Sequence, residues 1–116
     1  FYHRLIEGLE REGYLRRPII PDECEHNAHM YYVVLSDGID RSRVLGELRS
    51  AGVGAVFHYI PLHSSPGGTR YGRSKDDLEI STFVSEQLIR LPFWVGITED
   101  EQMFVAEELA KALSQG

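Results

Sequence analysis

The stretch MYYVVLSDGIDRSRVLGELRSAGVGAVFHYI, residues 30–60, decides the fold. Its first six residues are aromatic, aliphatic or β-branched and carry no charge, which is the composition of a buried strand. Ser-Asp-Gly-Ile then turns the chain, and Asp40 stands where a carboxylate can accept the free N–H groups of a new helix. Val44, Leu45, Leu48 and Ala51 recur at helical spacing to give that helix one apolar face, and Gly52 closes it. Residues 53–60, VGAVFHYI, return to strand composition until Pro61 breaks the run. Strand, crossover helix and strand make a β-α-β unit.

Outward from that unit, EISTFVSEQLIRL places Ile80, Val84, Leu88 and Leu91 in helical register. LPFWVGI, residues 91–97, is expected to be a short third strand, with Pro92 limiting its hydrogen bonding. Thr98 and Glu101 form a Thr-x-x-Glu capping box for a final helix that turns Val105, Leu109 and Leu113 inward. At the other end, FYHRLIEGLEREG puts Phe1, Tyr2, Leu5, Ile6 and Leu9 on one helical face, with Gly13 as its stop. No N-cap residue precedes Phe1, so this helix reads as cut mid-course and the chain as a piece of something longer. Residues 14–29, with two prolines and no period, read as an extended connector. The expected fold is α+β: a small three-stranded, mainly antiparallel sheet of split β-α-β type, the third strand inserted between the other two, with helices over one face.

The chain has 116 residues, enough for one core, and a formal net charge of -6. That charge, with only Lys75 and Lys111 as lysines and scattered arginines, argues against a nucleic-acid partner. Cys24 stands alone, so no intrachain disulfide forms and a reducing, cytoplasmic setting is expected. No apolar run reaches membrane-spanning length, and no signal-peptide pattern opens the sequence.

Chemistry-bearing residues gather in VFHYIPLHSSPGGTRYG, residues 56–72. Alternation puts Val56, His58 and Ile60 on one side of the strand and Phe57 and Tyr59 on the other. His58 is then either a hydrogen-bonded core histidine or a ligand contact. The long loop at 61–78, with His63, Ser64, Tyr71 and several glycines just beyond the strand, favours a ligand-facing edge. Cys24, His26 and His29 have metal-capable side chains, but their spacing matches no compact zinc motif. Ser64 and Ser65 lack the elbow and acid of a nucleophilic triad, and SPGG lacks the Lys and Ser/Thr of a phosphate-binding loop. Asp76 and Asp77 directly follow Lys75 and would keep its amine protonated.

The blocks NAHMYYVVL, VFHYIPLHSSPGG and EISTFVSEQLIRLPFWVGIT, with their intervening lengths, resemble the C-terminal part of the DegT/DnrJ/EryC1/StrS sugar aminotransferases. Within that family the likeness is nearest to transaminases acting on TDP-4-keto-6-deoxy-D-glucose. The resemblance implies the C-terminal domain of a fold-type I, pyridoxal-phosphate-dependent transferase. Residues 1–29 would be the end of an interdomain helix and its connector, and 30–116 the small domain. The large domain that binds the cofactor would lie outside this chain, leaving the chain inactive alone and without catalytic, cofactor or metal residues of its own. The implied reaction moves an amine from glutamate to a TDP-4-keto-6-deoxyhexose in a homodimeric enzyme. His58, Tyr59, His63, Ser64 and Tyr71 are the implied substrate-side contacts. A free-standing, ferredoxin-like small-molecule-binding module is the alternative that the elements alone also allow.

Overall fold

In the computed structural model, which describes residues 1–76 and 78–115, six helices and four strands surround one core. The N-terminal helix forms as two pieces, α1 (Tyr2–Leu5) and α2 (Glu7–Arg11), that meet at Ile6. Gly13 ends it at φ +84°, where a residue with a Cβ would be strained. A strand with no local signal of its own, β1 (Leu15–Arg16), follows at once. Then come β2 (Tyr31–Leu35), α3 (Arg41–Ser50) and β3 (Val56–Phe57). A 3₁₀ turn (Leu62–Ser64) leads to α4 (Pro66–Tyr71), α5 (Glu79–Gln87), β4 (Leu88–Leu91) and α6 (Glu99–Ser114).

The sheet order is β1-β2-β4-β3, and every neighbouring pair is antiparallel. The split β-α-β therefore stands, since β4 lies between β2 and β3 and runs against both. Three expectations need correction. The sheet has four strands, because Leu15 pairs with Leu35 and Arg16 with Val34 at an added edge. The inserted strand is residues 88–91, not 91–97: Ile89 and Leu91 alternate inward while Leu88 and Arg90 stay half-buried, and Pro92 falls just outside the ladder. The second strand of the β-α-β unit keeps only Val56 and Phe57 paired, both exposed, so most of 53–60 is irregular.

The core lies between one sheet face and a layer built from α1, α3 and α6. Leu15, Val33, Leu35, Ile89 and Leu91 meet Ile6, Val44, Leu48, Leu109 and Leu113 there. Val34 points to the opposite face by alternation yet is only 4% exposed, and α5 packs against the same strand. Both expected caps form. Asp40 accepts from Ser42 N at 2.8 Å and Arg43 N at 3.2 Å, and Thr98 exchanges bonds with Glu101. Gln102, the buried polar side chain of α6, accepts from Tyr2 N at 3.2 Å and so satisfies a donor at the start of α1. The Tyr2 hydroxyl donates to Pro92 O at 2.9 Å, which ties the N-terminus to the residue just after β4.

Arg17 anchors the same region. Its Nε is 2.7 Å from Glu10 Oε2, its backbone N donates to Glu10 Oε1 at 2.8 Å, and its Nη1 donates to His3 O. Among the described residues no helix is long and apolar enough to cross a membrane.

Candidate functional site

The chain leaves the ladder immediately after Phe57, so His58 sits where pairing ends and Tyr59 beyond it. His58 is half-buried, and its Nδ1 is fully buried without a hydrogen-bond partner among the described residues. Its ring meets the Tyr59 ring edge-on, with centroids 6.4 Å apart. Tyr59 is 85% exposed and projects from the body of the domain.

Three further buried polar atoms lack partners among the described residues: Arg90 Nε, Gln87 Oε1 and Arg41 Nε. They share one place. Arg90 and Gln87 lie within two residues of Ile89, which pairs with Phe57. Arg41, the first residue of α3, holds its guanidinium 5.7 Å from the centre of the Phe57 ring and donates through Nη1 to Ser85 O. Buried polar groups are almost always bonded, so four orphans around one strand pair single out this edge. Val56, Phe57, Ile60 and Leu62, all exposed apolar side chains, flank it.

The remaining expected contacts divide. His63 lies in the 3₁₀ turn, with Nε2 3.0 Å from Thr82 Oγ1 on α5, so its ring is fixed across the loop. Ser64 Oγ donates to Pro61 O at 3.2 Å, a bond internal to the turn. Tyr71 is 80% exposed at the end of α4, beneath the Arg70 guanidinium at 5.1 Å. Of the five, only His63 lines the cavity of about 760 Å³ that opens beside α4. His58 and Tyr59 form one neighbourhood, His63 another, and Ser64 and Tyr71 join neither cavity nor edge.

Two glycines of this loop do something other than approach a ligand. A Cβ on Gly68 would stand 1.5 Å from Leu62 O, and one on Gly72 would stand 2.8 Å from Gly68 O. Their bareness lets α4 fold back onto the 3₁₀ turn. Ser65 caps α4 by accepting from Gly68 N at 2.9 Å, a Ser-Pro start that was legible in the sequence as a helix signal. Arg41, Gln87 and Arg90 were missed because spacing placed them within helices, where nothing ties them to one strand edge.

Pyridoxal phosphate requires a lysine amine for its aldehyde and a carboxylate for its ring nitrogen. Lys111 is exposed and bonded to Glu108 at 2.5 Å, a contact that raises its pKa and holds the amine protonated. Lys75 lies on the loop beside a cavity that no carboxylate lines among the described residues.

The geometry is thus a helix-backed split β-α-β scaffold with orphaned polar groups beside its β3 edge. The chain belongs to the DegT/DnrJ/EryC1/StrS aminotransferase family, whose model matches residues 1–110. It is 29% identical over 118 residues to protein MJ1066 of Methanocaldococcus jannaschii, covering 98% of this chain and 30% of that protein. It is similar in fold to PseC of Helicobacter pylori, an aminotransferase involved in the biosynthesis of pseudoaminic acid, at a TM-score of 0.81 and 16% identity. That match covers 99% of this chain and 30% of PseC. Spr1654 of Streptococcus pneumoniae, solved in a PLP form, matches at a TM-score of 0.81 and 19% identity over 98% of this chain and 29% of its own. The chain thus spans under a third of the length of the relatives it matches.

Proposed function

We propose that the protein carrying this chain is a pyridoxal-phosphate-dependent sugar aminotransferase, and that this chain supplies the part that closes over the sugar substrate. Family membership supports the activity, and the PLP form of Spr1654 supports the cofactor. At finer grain, the donor is glutamate, the acceptor is the 4-keto carbon of a TDP-4-keto-6-deoxyhexose, and the protein is a homodimer. Residues 1–29 are the interdomain segment and 30–116 the small domain. The cofactor's lysine and ring-nitrogen carboxylate come from sequence outside this chain.

The observation that carries this reading is the set of orphaned polar atoms around the Phe57–Ile89 pair. A ligand or a second domain brought against this edge would let His58 and Arg90 turn outward and give Nδ1 and the Nε–H the partners they lack while buried. His58 and Tyr59 would bond sugar hydroxyls or a phosphate oxygen, since imidazole and phenol both donate and accept. The exposed apolar rim of Val56, Phe57, Ile60 and Leu62 suits a face that another domain covers. His63, Ser64 and Tyr71 would be outer contacts of the same substrate.

His58→Ala in the complete protein is expected to raise KM for the nucleotide sugar, or to lower turnover, by about tenfold, as loss of one buried hydrogen bond to substrate would. The half-reaction with the amino donor alone serves as the reference. Kinetics unchanged for both His58→Ala and Arg90→Met would remove this edge from the substrate site.

A further inference from the structure

A groove of about 590 Å³ lies between residues 52–54 and the start of α6. Pro92, Trp94, Phe104 and Val105 give it apolar walls, and Asp100 and Glu101 add two carboxylates. Among the described residues no cation lines it. Trp94 is 50% and Phe104 46% exposed, and Val95 next in the chain is fully exposed. Aromatic faces left open beside apolar neighbours mark a surface that another molecule covers. Glu101 is engaged with Thr98 in the cap of α6, but among the described residues neither Glu99 nor Asp100 pairs with a cation.

The same chain carries the complement of this groove. Asp and Glu outnumber Lys and Arg by 18 to 12 overall, yet no acidic residue occurs between Glu47 and Asp76. Arg70, Arg73 and Lys75 close that acid-free run, just before Asp76 and Asp77. Among the described residues none of the three pairs with a carboxylate; the ion pairs belong to Arg17, Arg43 and Lys111. The Arg70 guanidinium lies 5.1 Å from the centre of the Tyr71 ring, and that ring stands 80% exposed at the end of α4. Tyr71 and Arg70 therefore project together as an aromatic ring and a cation, the side-chain types that dominate binding at protein contacts. Gly54 and Pro92 lie beyond one end of the β3–β4 pair, and the chain enters the loop to α4 beyond the other. No residue of that loop lines the groove, so one copy leaves both surfaces open.

We propose that a second copy of this chain fills the groove: Tyr71 of one copy lies against Trp94 and Phe104 of the other, and Arg70 and Arg73 face Glu99 and Asp100. The guanidinium groups gain a carboxylate on one side and an indole face on the other. With a net charge of -6 on each chain, two copies repel in most orientations. The basic loop against the acidic groove is the orientation that reverses this, so charge selects the register while the aromatic rings supply the buried area. In a two-fold pair each copy gives a loop and receives one, so the contact is made twice and closes. It does not depend on the aminotransferase reading. It does exclude the substrate contact given to Tyr71 above, since a ring seated in a partner's groove is not free to touch a sugar.

The test mixes equal amounts of unlabelled and isotopically labelled complete protein and treats them with a carbodiimide, which joins a lysine amine to a carboxylate in contact with it. Peptide mapping is expected to find Lys75 joined to Glu99 or Asp100 in isotope-mixed pairs, with a yield that falls as salt is added. Arg70→Glu/Arg73→Glu is expected to lower that yield at least about tenfold. Arg49→Glu, a like change of charge on an exposed residue outside both surfaces, is expected to leave it unchanged. Mixing the Arg70→Glu/Arg73→Glu protein with an Asp100→Arg protein is expected to recover the join to Glu99, which a misfolded loop would not do. Absence of any Lys75 join to the groove in mixed pairs, or an equal yield from the charge-reversed loop, overturns the contact. A join from Glu99 or Asp100 to a lysine outside this chain within one copy would also overturn it, because the groove is then covered by the rest of the protein.

Discussion

Gly68 shows how much a single residue decides in the loop after β3. With the Leu62 carbonyl oxygen 1.5 Å from where its Cβ would be, even alanine forces backbone apart. Gly68→Ala is expected to destabilise the protein by roughly 1–3 kcal/mol, as overpacking does, and to loosen the His63–Thr82 contact. Urea unfolding of the variant beside Gly67→Ala, whose Cβ would meet nothing within 4 Å, checks it; equal midpoints would contradict the assignment. The sequence made Gly67 and Gly68 look alike, because two adjacent glycines signal a loop without saying which one faces a carbonyl. His58 was more legible. An imidazole at the end of an apolar stretch calls for a hydrogen-bond partner, and its buried Nδ1 has none among the described residues.

At the scale of elements, what could be read depended on whether a local signal existed. Asp40 before α3 and the Thr98–Glu101 box before α6 name their helices by chemistry that acts within four residues, and both form as expected. Thr98→Ala removes the acceptor for Glu101 N at 3.2 Å and is expected to cost about 1 kcal/mol, measurable as a lowered Tm. No change in Tm would mean that packing alone fixes the start of α6. The segment 79–97 was misread because Ile80, Val84, Leu88 and Leu91 fit a helical period. Ile80 is in fact 82% exposed, and the helix stops at Gln87 because the next four residues complete the sheet between β2 and β3. Leu-Ile-Arg-Leu also alternates, and only the long-range pairing with Tyr31–Val34 decides between the two periods. The two-residue strand β1 carries no period at all, and its place follows from Leu15 pairing with Leu35.

At the scale of the whole molecule, the N-terminal helix is fastened to the rest by ionisable groups, so stability should depend on pH at both extremes. Glu10 is held below its ordinary pKa of 4.5, first by the Arg17 backbone N–H and then by the Arg17 side chain. The depressed value means that its contribution is present above the unfolded pKa and is lost as pH falls through the folded one. Tyr2 and Tyr31, stacked with centroids 5.1 Å apart, are pushed from 10.0 to about 12, chiefly by burial. Their contribution is complete below pH 10.0 and disappears as pH rises toward about 12, because the unfolded chain ionises first. Unfolding midpoints measured across pH are expected to fall on both sides. Glu10→Gln should flatten the acid arm and Tyr31→Phe the alkaline one, and arms unmoved by these variants would place the pH dependence elsewhere.

The proposed function joins these scales, since on that reading this domain is a partner to a cofactor held by other sequence. The most direct measurement is the visible absorption of the complete protein after addition of pyridoxal phosphate, followed by borohydride treatment and peptide mapping. The expected result is a new absorbance band and a single reduced cofactor adduct on a lysine outside this chain, with Lys75 and Lys111 unmodified. A complete protein that shows no such band and no lysine adduct would contradict the assignment to a pyridoxal-phosphate-dependent aminotransferase.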